Sequence, residues 1–425
     1  MNMKFTRKDF IKVGTLAGLA ITTPGKNLSG HSLQIAGVTR PNKQKTIVTT
    51  CNMCYLGCSV LATYENDKIL HLRGNPASPI NHGKLCAKGH AGIYKSIHPE
   101  RLGYPLIRAG KRGDGKWKKV SWDRALGVIS ESIQKIRKDF GDKSVALWQN
   151  VNMDRPDIFK RFIYSIGSPN YISHVSTCNS SQLIGSALTS GIARQNYDYP
   201  NAECIVFVGV NPFAAKEMVY STRKIMEARE RGARLITLDP RMSETAARSD
   251  IWLPIIPGTD GIFLAGLSNW LIQNNKYDSE YVSKHAFGFN KIRRYLKQFT
   301  IGKVIEASGI SEKSFIETAE IISSRKTVVV PGRGLITHKD ATDGMRMSEI
   351  LNALLGSIDT KGGVMLMGYP PFKFGEIEPE IKMPGLARID KSSADKIALP
   401  VGLKPENPAA FFGLSHNVPF HILNE

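Results

Sequence analysis

Little in this sequence is suited to holding a chain together covalently or to crossing a bilayer. Its 425 residues include only six cysteines, Cys51, Cys54, Cys58, Cys86, Cys178 and Cys204, far too few for a disulfide-stapled scaffold. No segment is both apolar and uncharged over the ~20 residues that a membrane-spanning helix needs. Neither a Gly-x-Gly-x-x-Gly fingerprint nor a Walker A sequence occurs, so NAD and ATP are poor candidate ligands. Acids are also scarce: 37 Asp and Glu against 57 Lys and Arg leave a net charge of +20. That excess is compatible with nucleic acid, an anionic membrane surface, an acidic partner or an anionic cofactor. What is present, 42% hydrophobic residues over a length of two or three domains, excludes disorder.

The first thirty residues carry Lys4, Arg7, Lys8 and Lys12, then the small, apolar stretch Val13–Thr23, closed by Pro24 and Gly25. This is the outline of an export signal peptide, with a basic amphipathic helix as the alternative. The run Thr6-Arg7-Lys8-Asp9-Phe10-Ile11-Lys12 resembles the twin-arginine signal, with Lys8 where the second arginine normally stands. Residues 1–30 hold five Lys/Arg and one acid, so the remainder still carries +16.

Four cysteines crowd the next segment: two residues separate Cys51 from Cys54, three separate Cys54 from Cys58, and Cys86 follows at a distance. Three thiolates from one loop and one from a distant arm suit the corners of a [4Fe-4S] cube. Structural zinc, which prefers paired Cys-x-x-Cys knuckles, and disulfides are the alternatives. Ser59–Tyr64 and Lys68–Arg73 predict a hairpin, placing the cysteines on a small β-rich domain. Lys88, two residues past Cys86, is either a cation facing the cluster's electron acceptor or a solvated surface lysine.

From Leu106 the pattern changes. Leu106–Arg108 and Trp117–Val120 predict a second, basic hairpin. Ser121 caps a helix whose Ala125, Leu126, Ile129, Ile133 and Ile136 predict one buried face. Strands at Val145–Gln149, Cys204–Val208, Arg234–Leu238 and Thr327–Val330 then alternate with helices at Asp157–Ile166, Ser181–Ser190, Ala214–Arg231, Gly261–Gln273 and Ala341–Leu355. Such alternation predicts a doubly wound parallel sheet with helices on both faces.

The ends of these strands and the helix starts beyond them carry Gly209-Val210-Asn211-Pro212, Asp239-Pro240-Arg241, Pro257-Gly258-Thr259-Asp260 and Pro331-Gly332-Arg333-Gly334. Each alone reads equally as a turn with a helix cap; four in succession, where doubly wound sheets bind ligands, point to a large nucleotide-bearing ligand. Cys204, inside an apolar strand, reads as a small buried hydrophobe. Cys178 sits in the polar run His174-Val175-Ser176-Thr177-Cys178-Asn179-Ser180-Ser181 just before a helix. It is a candidate soft metal ligand, a nucleophile, or a structural thiol.

Taken together, these residues resemble the molybdopterin oxidoreductases of the dimethyl sulfoxide reductase type, from Cys51 to about Gly363. The resemblance implies that Cys51, Cys54, Cys58 and Cys86 hold a [4Fe-4S] cluster and that Lys88 lies between it and a pterin. It implies that Cys178 ligates molybdenum, or tungsten. It also implies that Asn179, Asn211, Asp239, Arg241, Thr259 and Asp260 contact bis(molybdopterin guanine dinucleotide), whose phosphates give the basic body its counter-charge. Cysteine at the metal and an export signal look most like the thiosulfate and polysulfide reductase branch, in which a reduced centre passes two electrons to a sulfur substrate. Arg333 and His174 are candidates to steer that anion, structural roles being the alternative. The resemblance further implies a ferredoxin-like iron-sulfur subunit, a quinol-oxidising membrane anchor and a periplasmic location.

The expected architecture is α/β: a leader at 1–30, the cluster domain at 45–105, one α/β domain from 106–150 plus 326–425, and an inserted dinucleotide-binding domain at 151–325. The β-barrel-like C-terminal domain of the family is expected to be absent. Tetrathionate, arsenate and nitrate reductases and formate dehydrogenases are alternative activities, and a truncated electron-transfer subunit without molybdenum is another. A nucleic-acid-binding role requires a clustered basic face with stacking aromatics, which the sequence does not offer.

Overall fold

The computed structural model describes residues 44–366 apart from 55, 67, 150–155, 175–177, 194 and 216–218. The expected leader and the expected domain region after 366 lie outside the described residues.

Three antiparallel strands, β1 (Lys45–Thr50), β2 (Ser59–Glu65) and β3 (Lys68–Gly74), form a sheet in that order. The predicted β2–β3 hairpin is present, with a register shift between Thr63 and Tyr64. Pairing of Thr50 with Ser59 pinches off the loop between β1 and β2, and that loop carries Cys51, Cys54 and Cys58. The second predicted hairpin is β4 (Leu106–Arg108) with β5 (Trp117–Lys119).

Helix α1 (Trp122–Phe140) begins where expected, the Ser121 hydroxyl accepting from Arg124 N at 3.2 Å, and ends at Gly141, whose φ of 83° suits a glycine stop. The predicted buried face is corrected. No residue of α1 is buried, and Leu126 and Ile129 are 56% and 53% exposed. The apolar spacing sets an amphipathic helix, but among the described residues it packs chiefly on the short turn Asp142–Ser144.

The predicted strand at Val145 starts later, as β6 (Leu147–Gln149), and pairs in parallel with β7 (Tyr171–Ser173). Next come α2 (Ser180–Ser190), β8 (Gln195–Tyr197), β9 (Cys204–Val208), α3 (Val219–Glu230), β10 (Arg234–Leu238), β11 (Ile251–Leu253), α4 (Asp260–Gln273), α5 (Glu312–Ser323), β12 (Thr327–Pro331), α6 (Ala341–Leu354) and β13 (Val364–Leu366). Ala214 and Ala215, where a helix is expected to begin, belong to a turn in which their N–H groups donate to Asn211 O, and the helix is described over Val219–Glu230.

The central sheet is parallel in the order β11-β10-β9-β12. β9 is its shared wall. Cys204, Val206 and Val208 face a core with Phe263 of α4, Phe315 of α5 and Met345 of α6. Ile205 and Phe207 face the opposite core with Ile225 of α3, Leu235 and Val328. Burial on both faces explains why the strand reads as an unbroken apolar run, each large side chain contributing ~1.5–3 kcal/mol. Cys204 is fully buried as expected, and that burial pushes its thiol up to about 12.

One expected boundary does not follow the sheet. β12 was assigned to a different domain from β9, β10 and β11, yet Thr327 to Pro331 pair residue for residue with Cys204 to Val208. A division at 325–326 would cut one sheet between hydrogen-bonded strands.

Candidate functional site

The four clustered cysteines are free thiols, each partly buried. Cys51 N donates to Cys58 O at 2.8 Å, closing their loop, and Gly57 makes its turn at φ 60°. The distant arm is fixed by a residue that no motif flagged. Buried Asn81 accepts from Ser59 N at 3.2 Å and donates to Ser59 O at 3.0 Å and Lys84 O at 2.7 Å. It thereby ties the residue after Cys58 to the segment that ends in Cys86. Burial, then the charges of Cys51, Cys54 and Cys86, push the Cys58 thiol up, so the four sulfurs share one electrostatic environment. Repulsion of that kind is relieved by a cationic metal. Among the described residues no three His, Cys, Asp or Glu side chains stand ready as a metal cage, so the thiols do not form a preformed shell. Lys88 is exposed on the single-turn helix Ala87–His90 that follows Cys86.

At the C-terminal edge of the parallel sheet the predicted loops converge. The turn after β9 and the turn after β12 interlock: Gly332 N donates to Val208 O and Gly334 N to Gly209 O, both at 2.8 Å. Gly209 has φ +59°, and a Cβ there would lie 2.6 Å from Gly334 Cα, so glycine is required twice over. Asp239, 8% exposed, accepts from Arg241 N at 3.1 Å through one carboxylate oxygen. The Arg241 side chain is 67% exposed, 4.0 Å from Glu244. Thr259 donates its hydroxyl to Ile256 O at 2.7 Å rather than capping α4. Asp260 is buried; that burial pushes its carboxyl up, opposed by backbone N–H groups and by His338. A cavity of about 460 Å³ opens beside it, with Gly261, His338, Asp343 and Arg346 in its wall.

Asn211, expected to contact the dinucleotide, also acts as a brace between the turn after β9 and the segment after β10. Its Oδ1 accepts from Thr245 N at 3.1 Å and Thr245 Oγ1 at 2.6 Å, and its Nδ2 donates to Glu244 at 2.7 Å. Both oxygen lone pairs and one N–H are consumed inside the protein. Glu244, held ionised by that Asn211 donor and by its own backbone N–H, with Arg241 and Arg248 adding to the effect, and the fully buried Thr245 were not legible beforehand. Asn211→Ala is expected to cost roughly 1–3 kcal/mol by stranding the Thr245 donors, read as a lowered denaturation midpoint.

Cys178 is partly buried immediately before α2, with Asn179 at the helix N-cap position and no side-chain capping bond. Arg333, 155 residues away in sequence, is brought onto it: its Nη1 donates to Cys178 O at 3.3 Å. His174 follows β7, its N–H on Gln149 O at 2.9 Å. The loop that carries Cys178 is thus held by a guanidinium at the edge of the doubly wound sheet, where folds of this kind bind ligands across the strand ends.

The chain belongs to the molybdopterin oxidoreductase family. The family model for molybdopterin oxidoreductases matches residues 101–409, and the model for their Fe4S4 domain matches residues 44–97. The cofactors are accordingly a molybdopterin-bound molybdenum and a [4Fe-4S] cluster. The all-thiol donor set at Cys51, Cys54, Cys58 and Cys86 fits the cluster. Cys178, Asp239 and Arg241 offer the thiolate, acceptor and cation that suit a metal bound through a phosphorylated pterin. The chain is 29% identical to the thiosulfate reductase molybdopterin-containing subunit PhsA of Salmonella typhimurium over 78% of its length and 43% of that protein. It is 26% identical to the arsenate respiratory reductase subunit ArrA of a Shewanella species, over 86% and 48%. The solved structure of acetylene hydratase from Pelobacter acetylenicus superposes with a TM-score of 0.66 at 27% identity, covering 75% of this chain and 44% of that one. The chain thus spans less than half the length of each of these relatives.

Proposed function

We propose that this chain is the catalytic portion of an exported molybdenum oxidoreductase that reduces an inorganic sulfur compound, thiosulfate or polysulfide. The observation that carries the reading is Arg333 on the Cys178 carbonyl: a fixed cation beside the soft ligand suits a small, doubly charged sulfur anion. Likeness to PhsA supports the same substrate class.

In this reading Cys178 Sγ ligates the metal, with tungsten the alternative to molybdenum. Arg333 holds the ligand loop and turns its remaining N–H donors toward the substrate, and His174 assists in steering it. The Asp239 carboxylate oxygen not used by Arg241 accepts from ribose or guanine, while Arg241 takes phosphate. Asn179, Thr259 and Asp260 line the rest of a bis(molybdopterin guanine dinucleotide) site. When bound, the cofactor supplies two-electron group-transfer chemistry, and the cluster resupplies electrons singly. Lys88 stands on the path between them. A ferredoxin-like subunit and a quinol-oxidising membrane anchor complete the electron route, and a twin-arginine leader delivers the folded enzyme to the periplasm.

The test is anaerobic purification of the full-length protein with assays of reduced-viologen oxidation. About four iron atoms per chain, stoichiometric molybdenum and guanine dinucleotide, and turnover of thiosulfate or polysulfide are expected. Iron without molybdenum, tungsten or pterin overturns the proposal in favour of an electron-transfer subunit. Turnover of tetrathionate, arsenate, nitrate or formate but of neither sulfur anion reassigns the substrate.

A further inference from the structure

Helix α6 buries a carboxyl group that the proposed redox chemistry does not use. Glu349 is fully buried, and neither of its carboxyl oxygens makes a hydrogen bond of good geometry, although Gln195 and Ser186 face them. Two other buried polar atoms nearby are likewise unpaired, Gln195 Oε1 and the Tyr197 hydroxyl, both on β8. Gln195 and Ser186 of α2 face the Glu349 carboxyl, and Tyr197 lies within its field. Four polar side chains from three elements therefore meet in one closed space.

Gln195 is also engaged with α2. Its Nε2 donates to Ser190 Oγ at 2.7 Å, and the Ser190 hydroxyl in turn donates to Ser186 O at 3.0 Å. With its own hydrogen spent on Ser186 O, Ser190 accepts from Gln195. Gln195 Oε1 is therefore left needing a donor. An ionised Glu349 offers none, being acceptor-only. A neutral Glu349 balances the group: its O–H serves Gln195 Oε1, and the Tyr197 O–H serves its second oxygen.

The charges around it agree. Helix α2 carries no ionisable side chain, and β12 carries none. Tyr197 is a phenol that burial pushes up. Arg346, one turn earlier on α6, lies 3.7 Å from Asp343 and lines the other cavity, where Asp260 of α4 and His338 also lie. Burial pushes the Glu349 carboxyl up to about 7, opposed by Gln195 and Ser186 and by no charged side chain.

We propose that Glu349 keeps its proton in mildly acid solution and gives it up around neutrality, and that this proton ties α6 to β8 and α2 and so fixes the helix that begins directly behind Cys178. The two helices are pressed together at this level: a Cβ on Gly185 of α2 would lie 2.7 Å from Met345 Cβ. Ionisation introduces a negative charge with no counter-charge into that seam. Glu349 is thus a positioning residue. Its link to metal chemistry rests on Cys178 being the metal ligand, while the proton itself does not.

Infrared spectroscopy of the full-length protein tests the proton. A carbonyl band of a buried carboxylic acid is expected at pH 6–7, absent in Glu349→Gln and shifted in Tyr197→Phe; the second variant keeps the assignment if the first fails to fold. The folded chain binds this proton more tightly than the unfolded chain, so the group favours folding most at low pH and loses that contribution as pH rises toward 7. The thermal midpoint should carry that slope in the wild type and not in Glu349→Gln. A Mo(V) paramagnetic signal that changes shape with a midpoint near pH 7, and is flat in Glu349→Gln, is expected from the positioning role. No carboxylic-acid band at pH 6–7 overturns the proposal, and a midpoint that then depends on Na⁺ or K⁺ identifies a bound cation instead. A band with a pH-invariant Mo(V) signal overturns the positioning half. A protein without molybdenum removes the proposed function and leaves the infrared result to decide the proton.

Discussion

Cys178→Ala is expected to abolish turnover of the sulfur substrate while sparing the iron-sulfur cluster and the fold. The cluster thiols lie in the loop between β1 and β2 and just before the helix Ala87–His90, outside the parallel sheet, so the cluster's iron content and spectrum should be unchanged. Cys178 is only partly buried, and truncating it removes little apolar contact. Catalysis is another matter. Deleting a partner that merely orients a metal ligand costs ~10–100-fold, so deleting the ligand itself should exceed that range. The measurement is kcat/KM for thiosulfate or polysulfide beside metal content. Activity above a tenth of wild type, with molybdenum retained, would remove Cys178 from the metal's coordination. Arg333→Lys keeps the charge but loses the planar fork; it should raise KM more than it lowers kcat.

The second large effect is on stability. Gly209→Val places a branched side chain at φ +59° with its Cβ 2.6 Å from Gly334 Cα and 2.8 Å from Leu335 N. Both obstacles are backbone, held by the Gly334 N–Gly209 O hydrogen bond, and cannot swing aside as a flexible side chain would. Left-handed backbone strain of ~1–2 kcal/mol and overpacking of ~1–3 kcal/mol together approach the whole margin of a weakly stable domain. Chemical denaturation should show a strongly lowered midpoint, and molybdopterin content should fall with it. Gly191→Ala is the matched control. Gly191 has φ +77° with nothing within 4 Å of a built Cβ, so only the backbone component is incurred. Equal midpoints for the two variants would show that the close approach of the loops contributes nothing.

Legibility in the sequence tracked how local each cause was. Strands β9, β10 and β12 announced themselves as strongly apolar runs because both of their faces are buried. The three-residue strands β8, β11 and β13 carry too short a pattern to register: β11 pairs alongside the longer β10, while β8 and β13 pair only with each other across more than 160 residues. The cluster cysteines were legible from spacing. Asn81, which ties their two arms together, was not, since a lone asparagine has no spacing to read. Arg333 was singled out for its strand-end position, and its contact with Cys178 is a product of topology across 155 residues. Asn211 shows how a local turn hides distant partners: its place in a Gly-Val-Asn-Pro turn gave no sign that Glu244 and Thr245, more than thirty residues on, hold its polar atoms. Glu349 looks in sequence like any solvated helix glutamate, and only packing reveals that no water reaches it.

The central position of β9 also sets an order of events. Its partner β10 follows within one helix, so that pairing is available early. β12 joins on the other side 123 residues later, judged by the Glu203–Lys326 contact at the strand starts. At a synthesis rate of ~5–20 residues per second, roughly 6–25 s separate the emergence of the two strands. During that interval one edge of β9 is an open template, exposed to mispairing. The Gly209 turn meets Gly332 and Gly334 only when β12 docks, so the interlocked turns at the C-terminal edge are among the last parts of the sheet to be completed.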